Sequence, residues 1–429
     1  MDFSNSSGAI QDGLVIKTFR QGRQRKTSKN SKRLHLAKSG HRFIRKHTWA
    51  LPLMMLIGIA ALYAINPTES NFIHHFIFLS YPLPPSSQHV HHHGGHARAP
   101  TQYGKGLWDV AFVAFYTVVL TFTREFIMQE ILRPLSRSRF CGIASRGKQL
   151  RFMEQMYTAI YFGVMGPFGL YVMRQTPVWY FNTRGMYETY PNRTHEAAFK
   201  FYYLFEAAYW AQQALVMLLG LEKRRKDFKE LVGHHIVTLS LISLSYRYHF
   251  TYAGIAVYIT HDISDFFLAV SKSLHYIDSA IVGPFFATNV GVWIYMRHYL
   301  NIRILVSILT EFKTVGPYEL DWQAEQYKCW ISNVIVLVLL SFLQSLNLFW
   351  LWCLLRSGFR YVVYNIKKDD RSEGEESGNE GDEKAGNPTR KGSPEPPIIV
   401  ISAADDEDET ATATGLATAS ASGSTRMRG

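Results

Sequence analysis

Apolar residues along this chain gather into long runs rather than into the short stripes of a water-soluble core. Between Trp49 and Leu355 several runs approach the roughly 20 residues that cross a bilayer as an α-helix. The first, Trp49–Ile65, is short and uncharged. Seven more fall near residues 107–128, 152–173, 197–220, 231–247, 252–274, 280–300 and 328–355. The pattern predicts an all-α, polytopic membrane protein of about eight transmembrane helices. It also divides the chain. Residues 1–48 are a polar, basic tail and 49–105 a first anchor followed by a Pro- and His-rich loop. That loop has an apolar patch at Phe72–Leu83 for the membrane surface. Residues 106–355 form the membrane domain, and 356–429 a second tail, basic and then acidic.

Charge adds orientation. The chain carries a formal net charge of +12, concentrated in the N-terminal tail and short loops. Arg23, Arg25, Lys26, Arg42, Arg45 and Lys46 precede the first span. Arg133, Arg137, Arg139, Arg146, Lys148 and Arg151 fill one later loop, Lys223–Lys226 and Lys229 another, and Arg356, Arg360, Lys367 and Lys368 follow the last span. With eight spans these all fall on one side, which the positive-inside rule makes cytosolic together with both termini. This reads as membrane topology rather than nucleic-acid binding. The first apolar run begins late and lacks a small-residue cleavage site, so it is expected to stay as an anchor. Asn192-Arg-Thr194 is a glycosylation sequon that this topology places in the lumen, whereas Asn5-Ser-Ser7 would be cytosolic. Cys141, Cys329 and Cys353 follow no metal-ligand or disulfide spacing. The C-terminal tail has the composition of a disordered segment, and Ser372 and Ser377, each with Glu three residues on, are candidate phosphorylation sites.

Chemistry enters where ionisable residues interrupt the apolar runs. Such groups are costly in hydrocarbon and are functional candidates by default. One span carries His234-His235 and the next His261-Asp262 and Asp265. The turn between them centres near residue 250, so His235 and Asp265 are equidistant from it and expected at one depth. Asp262 and Asp265, three apart, share a helix face. His234 follows Lys229 by five residues, about 8 Å of helix, within reach of a donor arriving from the cytosol. A carboxylate beside an imidazole fixes its tautomer and stabilises imidazolium, and a His so held takes a proton from a nucleophile or attacks an acyl group itself. A buried His pair bonded to backbone is the plainer alternative. His261 points away from the Asp face and is given a supporting role. Arg224, Arg225 and Lys226 are candidates to attract the phosphates of a cytosolic donor such as coenzyme A. Arg124, Glu125, Glu154, Lys200 and Glu206 line a polar cavity or pair between helices. Arg297 and His298 are expected to snorkel from the luminal end of a span.

The stretch Leu231-Val-Gly-His-His-Ile-Val-Thr-Leu-Ser-Leu-Ile-Ser-Leu-Ser-Tyr246, continued by His261-Asp-Ile-Ser-Asp265-Phe-Phe-Leu-Ala-Val-Ser-Lys272, closely resembles the longevity-assurance motif of the ceramide synthases, within the TLC-domain family. The resemblance extends over roughly 105–355, including Arg124–Gln129 and Glu222–Asp227. It implies a fungal-type enzyme of the endoplasmic reticulum membrane, with six helices in a barrel around a central acyl tunnel. It implies transfer of a fatty acyl group from acyl-CoA to the amine of a sphingoid base, among membrane lipid. His234, His235, Asp262 and Asp265 match the family's paired residues. No cofactor and no metal is expected, because the thioester is already activated. A small single-span accessory subunit and dimerisation are compatible with the resemblance. Three other readings stay open: a non-enzymatic TLC-domain lipid sensor or chaperone, a proton-coupled transporter, and a metal site at His91, His92, His93 and His96.

Overall fold

The computed structural model describes residues 47–84, 100–222 and 225–364. The expectations for both tails (Ser372, Ser377 and Asn5 among them), for His91, His92, His93 and His96, and for Lys223 and Arg224 lie outside the described residues. The described chain is dominated by long helices: α1 (Ala50–Ile65), α2 (Trp108–Arg137), α3 (Arg146–Arg174), α4 (Ala197–Leu218), α5 (Phe228–Arg247), α6 (Thr251–Tyr276), α7 (residues 282–314) and α8 (Trp330–Tyr364). Four of them, α2, α3, α6 and α8 through Val363, are long and apolar enough to cross a membrane by composition alone, and α1 is apolar but shorter. The others carry polar residues on buried faces. α4 buries Lys200, Glu206 and Gln212, and α5 buries His234 and His235. An inward polar face lowers mean hydropathy without exposing charge to lipid.

α6 is the central helix. It packs along α3 and touches α5 and α7, while α8 closes against α5 and α7, and α4 bridges α2, α3 and α5. The α3–α4 approach needs a glycine. A Cβ on Gly169 would lie 2.6 Å from the hydroxyl of Tyr202, so no larger residue fits there without moving that tyrosine. α4 ends at Gly220 (φ +61°), where Leu221 N–H bonds back to Val216 O at 3.1 Å, a glycine C-cap. α5 ends the same way without glycine. His249 adopts φ +65° and Phe250 N–H reaches Ser245 O at 2.8 Å. This tight reversal makes α5 and α6 antiparallel neighbours.

Two places differ from the expected layout. The span expected at 280–300 does not end there. A π-helical turn, Ile294–Leu300, joins Val282–Trp293 to an amphipathic continuation, Asn301–Thr314. Arg297 and His298 therefore sit mid-helix and buried, at 2% and 7% exposure, rather than snorkelling from an end. The second concerns Asn192. Its amide oxygen accepts from Thr189 Oγ1 at 3.1 Å, and its amide nitrogen is enclosed in a residue 7% exposed. The nitrogen that would carry a glycan is thus enclosed in the folded chain.

The end of the bundle opposite the basic loops is tied by a buried polar cluster. Lys200 Nζ pairs with Asp109 Oδ1 at 2.7 Å and donates to the carbonyls of Ser80 and Gly104 at 2.8 and 2.7 Å. Tyr246 donates to Asp109 Oδ2 at 2.8 Å. A two-residue ribbon, β1 (Gln102–Tyr103) with β2 (His195–Glu196), runs antiparallel above it. Lys105 Nζ donates to the carbonyl of Asn192 at 2.7 Å, and burial lowers its pKa to about 7. The intramembrane charges Lys200 and Asp109 thus serve pairing between helices.

Candidate active site

Two cavities meet inside the bundle. The first, about 320 Å³, runs between α5, α6 and α8, with Tyr203 and Trp210 of α4 beside it. Its wall extends along α5 from His234 to Tyr248, roughly 21 Å of helix, and ends under Leu320, Trp322 and Tyr327. Among the described residues no Asp, Glu, Lys or Arg is in this wall. The second cavity, about 200 Å³, is polar. Glu154, Glu222, Arg225, Asp265, Lys272 and Arg297 contribute charge to it, and both His234 and His235 line it. His234 and Trp210 line both cavities. The imidazole of His234 is therefore the polar group where a charged compartment gives way to an apolar one.

The two adjacent histidines are held differently. His235 donates from Nδ1 to the carbonyl of Leu231 at 2.9 Å, one helical turn back. Because a carbonyl only accepts, the hydrogen sits on Nδ1 and Nε2 keeps its lone pair. His234 has a buried Nδ1 with no hydrogen-bond partner. Its ring is packed edge-on between Trp210 and Trp350, at 5.5 and 5.2 Å between centroids. The neighbouring imidazole of His235 stands 5.7 Å away at 88°. Aromatic walls thus hold the His234 ring without a hydrogen bond at its Nδ1.

The carboxylates do not take the roles expected for them. No hydrogen bond or ion pair joins either aspartate to His234 or His235. Asp265 lines the polar cavity but is engaged by Arg297, NH2 to Oδ1 at 2.6 Å. Asp262 is fully buried and lines neither cavity. Its Oδ2 accepts from Tyr202 at 2.7 Å, and its Oδ1 is enclosed without a partner. Direct orientation of an imidazole by aspartate is thus replaced by Asp265–Arg297 and Asp262–Tyr202 pairs that tie α6 to α7 and α4. Glu206, also fully buried, accepts from Tyr161 at 3.2 Å.

Arg297 is the residue that sequence reasoning misplaced. Besides Asp265 it donates to Ser264 Oγ at 2.6 Å and to Asn347 Oδ1 at 3.0 Å, and it lies over the Trp293 ring at 4.2 Å. A signal for it existed, since an arginine inside an apolar run is itself a functional candidate. Placing a helix end beside it hid that signal. His261 lines the apolar cavity and accepts from Asn347 Nδ2 at 3.4 Å. Trp210 and Lys272 were also missed, the latter although it closes the motif.

Of the three basic candidates for phosphate contact, Arg225 lines the polar cavity, held by Asp227 through Nε at 3.0 Å and NH2 at 2.9 Å. Trp350 also donates to Asp227, at 3.1 Å, which anchors this loop against α8. Lys226 is exposed and lines neither cavity. Glu222 pairs with Arg124, and Glu154 with Arg151 at 3.0 Å. Among the described residues no group of three or more His, Cys, Asp or Glu side chains is placed to hold a metal ion.

Helical bundle, embedded imidazoles and paired cavities together define a polytopic membrane protein with an internal site, apolar on one side and charged on the other. Residues 151–356 match the TLC domain. Over 338 residues the chain is 56% identical to a sphingosine N-acyltransferase-like protein of Gibberella moniliformis, covering 79% of this chain and 85% of that one. It is 50% identical over 332 residues to a sphingosine N-acyltransferase of Schizosaccharomyces pombe, covering 77% and 82%. It is 46% identical over 330 residues to a ceramide synthase of Saccharomyces cerevisiae, covering 76% of each. The chain belongs to the ceramide synthase family of TLC-domain proteins.

Proposed function

We propose that this protein is a ceramide synthase, which transfers the fatty acyl group of an acyl-CoA to the amine of a sphingoid base such as sphinganine or phytosphingosine. The observation that carries the reading is the position of His234, where the polar and apolar cavities join. An acyl-CoA has that same division. Its hydrocarbon chain suits the uncharged cavity and its phosphorylated headgroup suits the polar one, near Arg225 and Lys272. The thioester carbon then lies at the imidazole. Of the two cavities only the polar one is lined by charged side chains, which disfavours a proton path along the apolar one.

Two routes fit the histidines. In one, a nitrogen of His234 attacks the thioester carbon, the C–S bond breaks and coenzyme A leaves as its thiolate. The sphingoid amine then attacks the acyl-imidazole and gives its proton to His235. In the other, the amine attacks the thioester directly while Nε2 of His235 takes its proton. Either way the N–C bond formed replaces the C–S bond broken. The thioester is already activated, so neither ATP nor metal enters the balance. The tautomer of His235, fixed by Leu231, suits a base, and the junction position of His234 suits a nucleophile. An apolar chain cavity also keeps water from an acyl intermediate. The basic loops, on one side of an eight-span arrangement, support cytosolic termini and a site entered from the cytosol, and the family places such an enzyme in the endoplasmic reticulum membrane.

His234→Ala and His235→Ala are each expected to lower N-acylation by about 10²–10⁴-fold in purified protein of unchanged expression. Wild-type rates in both would overturn the assignment. Intact-mass measurement after incubation with acyl-CoA alone separates the routes. An added acyl mass in wild type that is absent from His234→Ala marks the covalent one.

A further inference from the structure

The bonds around Arg297 carry a consequence for His261. Arginine only donates hydrogen bonds. The Asn347 atom facing Arg297 NH1, 3.0 Å away, is therefore its carbonyl Oδ1, which leaves the amide Nδ2 turned to His261 Nε2 at 3.4 Å. An amide NH2 only donates, so Nε2 of His261 carries the lone pair. The other side of the ring agrees with this. His261 Nδ1 lies 2.8 Å from the carbonyl of Val257, which demands a hydrogen on Nδ1. Thr260 Oγ1 stands 3.1 Å from that nitrogen. Donor and acceptor polarity thus runs unbroken from Asp265 through Arg297 and Asn347 to His261, across α6, α7 and α8.

We propose that Asn347 is a positioning residue that passes the donor polarity of Arg297 to His261 and so holds His261 neutral, with its hydrogen on Nδ1, in the wall of the acyl cavity. The proposal rests on the acyl-transfer reading above. Positive charge develops beside this wall in either route, as an acyl-imidazolium at His234 or an imidazolium at His235. A second cation at His261, in a cavity wall that holds no charged residue, would oppose it at low dielectric. It would also draw water into the chain site. The titratable and charged groups around His261 are Arg297 on α7, His234 on α5, and Asp262 and Asp265 on its own helix, with Tyr202 of α4 bonded to Asp262. Asn347 of α8 is the neutral link among them.

Asn347→Asp reverses the polarity. Its carboxylate still accepts from Arg297 but now presents an acceptor to Nε2, which calls for a second hydrogen on His261. With purified variants and a saturating long-chain acyl-CoA, kcat of Asn347→Asp is expected to fall at neutral pH. It is expected to recover by about tenfold per pH unit through a new ionisation that wild type lacks. Adding His261→Gln, which cannot titrate, should abolish that new ionisation. His261→Gln alone is expected to keep the wild-type pH profile, with a loss below the roughly 10²-fold that marks a proton-transfer group. If Asn347→Asp does not fold, Asn347→Ser removes the amide bridge and is expected to show the same added ionisation. An unchanged profile in the folded Asn347 variant overturns the proposal, as does a loss of 10²-fold or more in His261→Gln. A wild-type protein that makes no ceramide sinks the acyl-transfer reading instead.

Discussion

At the scale of single residues, the site depends on how each nitrogen and oxygen is used. His235 spends Nδ1 on the backbone and keeps Nε2. Asp265 spends an oxygen on Arg297, a pair whose members are 21% and 2% exposed at the side chain. Removing one partner of such a pair leaves an uncompensated charge, which costs more than the pair itself contributes. Arg297→Met is therefore expected to destabilise the protein by about 3–5 kcal/mol. Adding Asp265→Asn should recover part of that loss, giving a double-mutant cycle that is far from additive. Thermal unfolding of the four proteins in one detergent checks this, and additive losses would contradict it. His234, His235, Asp262 and Asp265 were legible in the sequence because ionisable residues in apolar runs are rare. Their partners were not. Pairing Asp265 with His235 rested on equal depth, and depth does not say which way a side chain turns. Arg297, on the helix that follows, takes the carboxylate.

At the scale of elements, the long helices were legible from the apolar runs and their ends were not. A π-helical turn at Ile294–Leu300 lets α7 run on through Asn301 and Arg303, residues that read as a polar boundary. The extra residue in the turn brings Arg297 and His298 inward together. The α5–α6 reversal was placed correctly near residue 250, yet its left-handed residue is a histidine with no sequence signature. His249 is held to a pKa of about 3, first by burial and then by the nearby charges of Lys105, Arg193 and Arg247. The unfolded chain takes up a proton near 6.5 and the folded one does not, so the unfolded state binds more protons below that pH. Stability attributable to this site is full above pH 6.5 and is lost as pH falls towards 3. His249→Gln is expected to flatten the part of the stability–pH curve between pH 7 and 5. A curve of unchanged slope in that window would exclude His249 as its source. Asn192 teaches a related lesson. A sequon is a local triplet, whereas the burial of Asn192 also involves Lys105, distant in the chain, whose Nζ donates to its carbonyl.

At the scale of the whole molecule, the arrangement that matters is one polar cavity and one apolar cavity sharing His234 and Trp210. No single helix encodes it. Each lining helix contributes one face, and the apolar cavity is bounded by residues of α5, α6 and α8 together. Composition foresaw a polytopic helical protein, and the histidine motif foresaw the family. That the two cavities share His234 and Trp210 was beyond both. Trp210 is the other shared residue, and Trp210→Ala is expected to merge the two spaces. Hydrolysis of acyl-CoA should then rise relative to transfer, because water gains the junction. Free fatty acid measured against ceramide checks this, and an unchanged ratio would contradict it. The most direct test of the acyl-transfer reading is to incubate the purified protein with sphinganine and a panel of acyl-CoAs and read product mass. The expected result is one ceramide per accepted acyl-CoA, formed without ATP or added metal and lost in His235→Ala. A well-folded wild-type protein that yields no N-acylated base with any of them would contradict it.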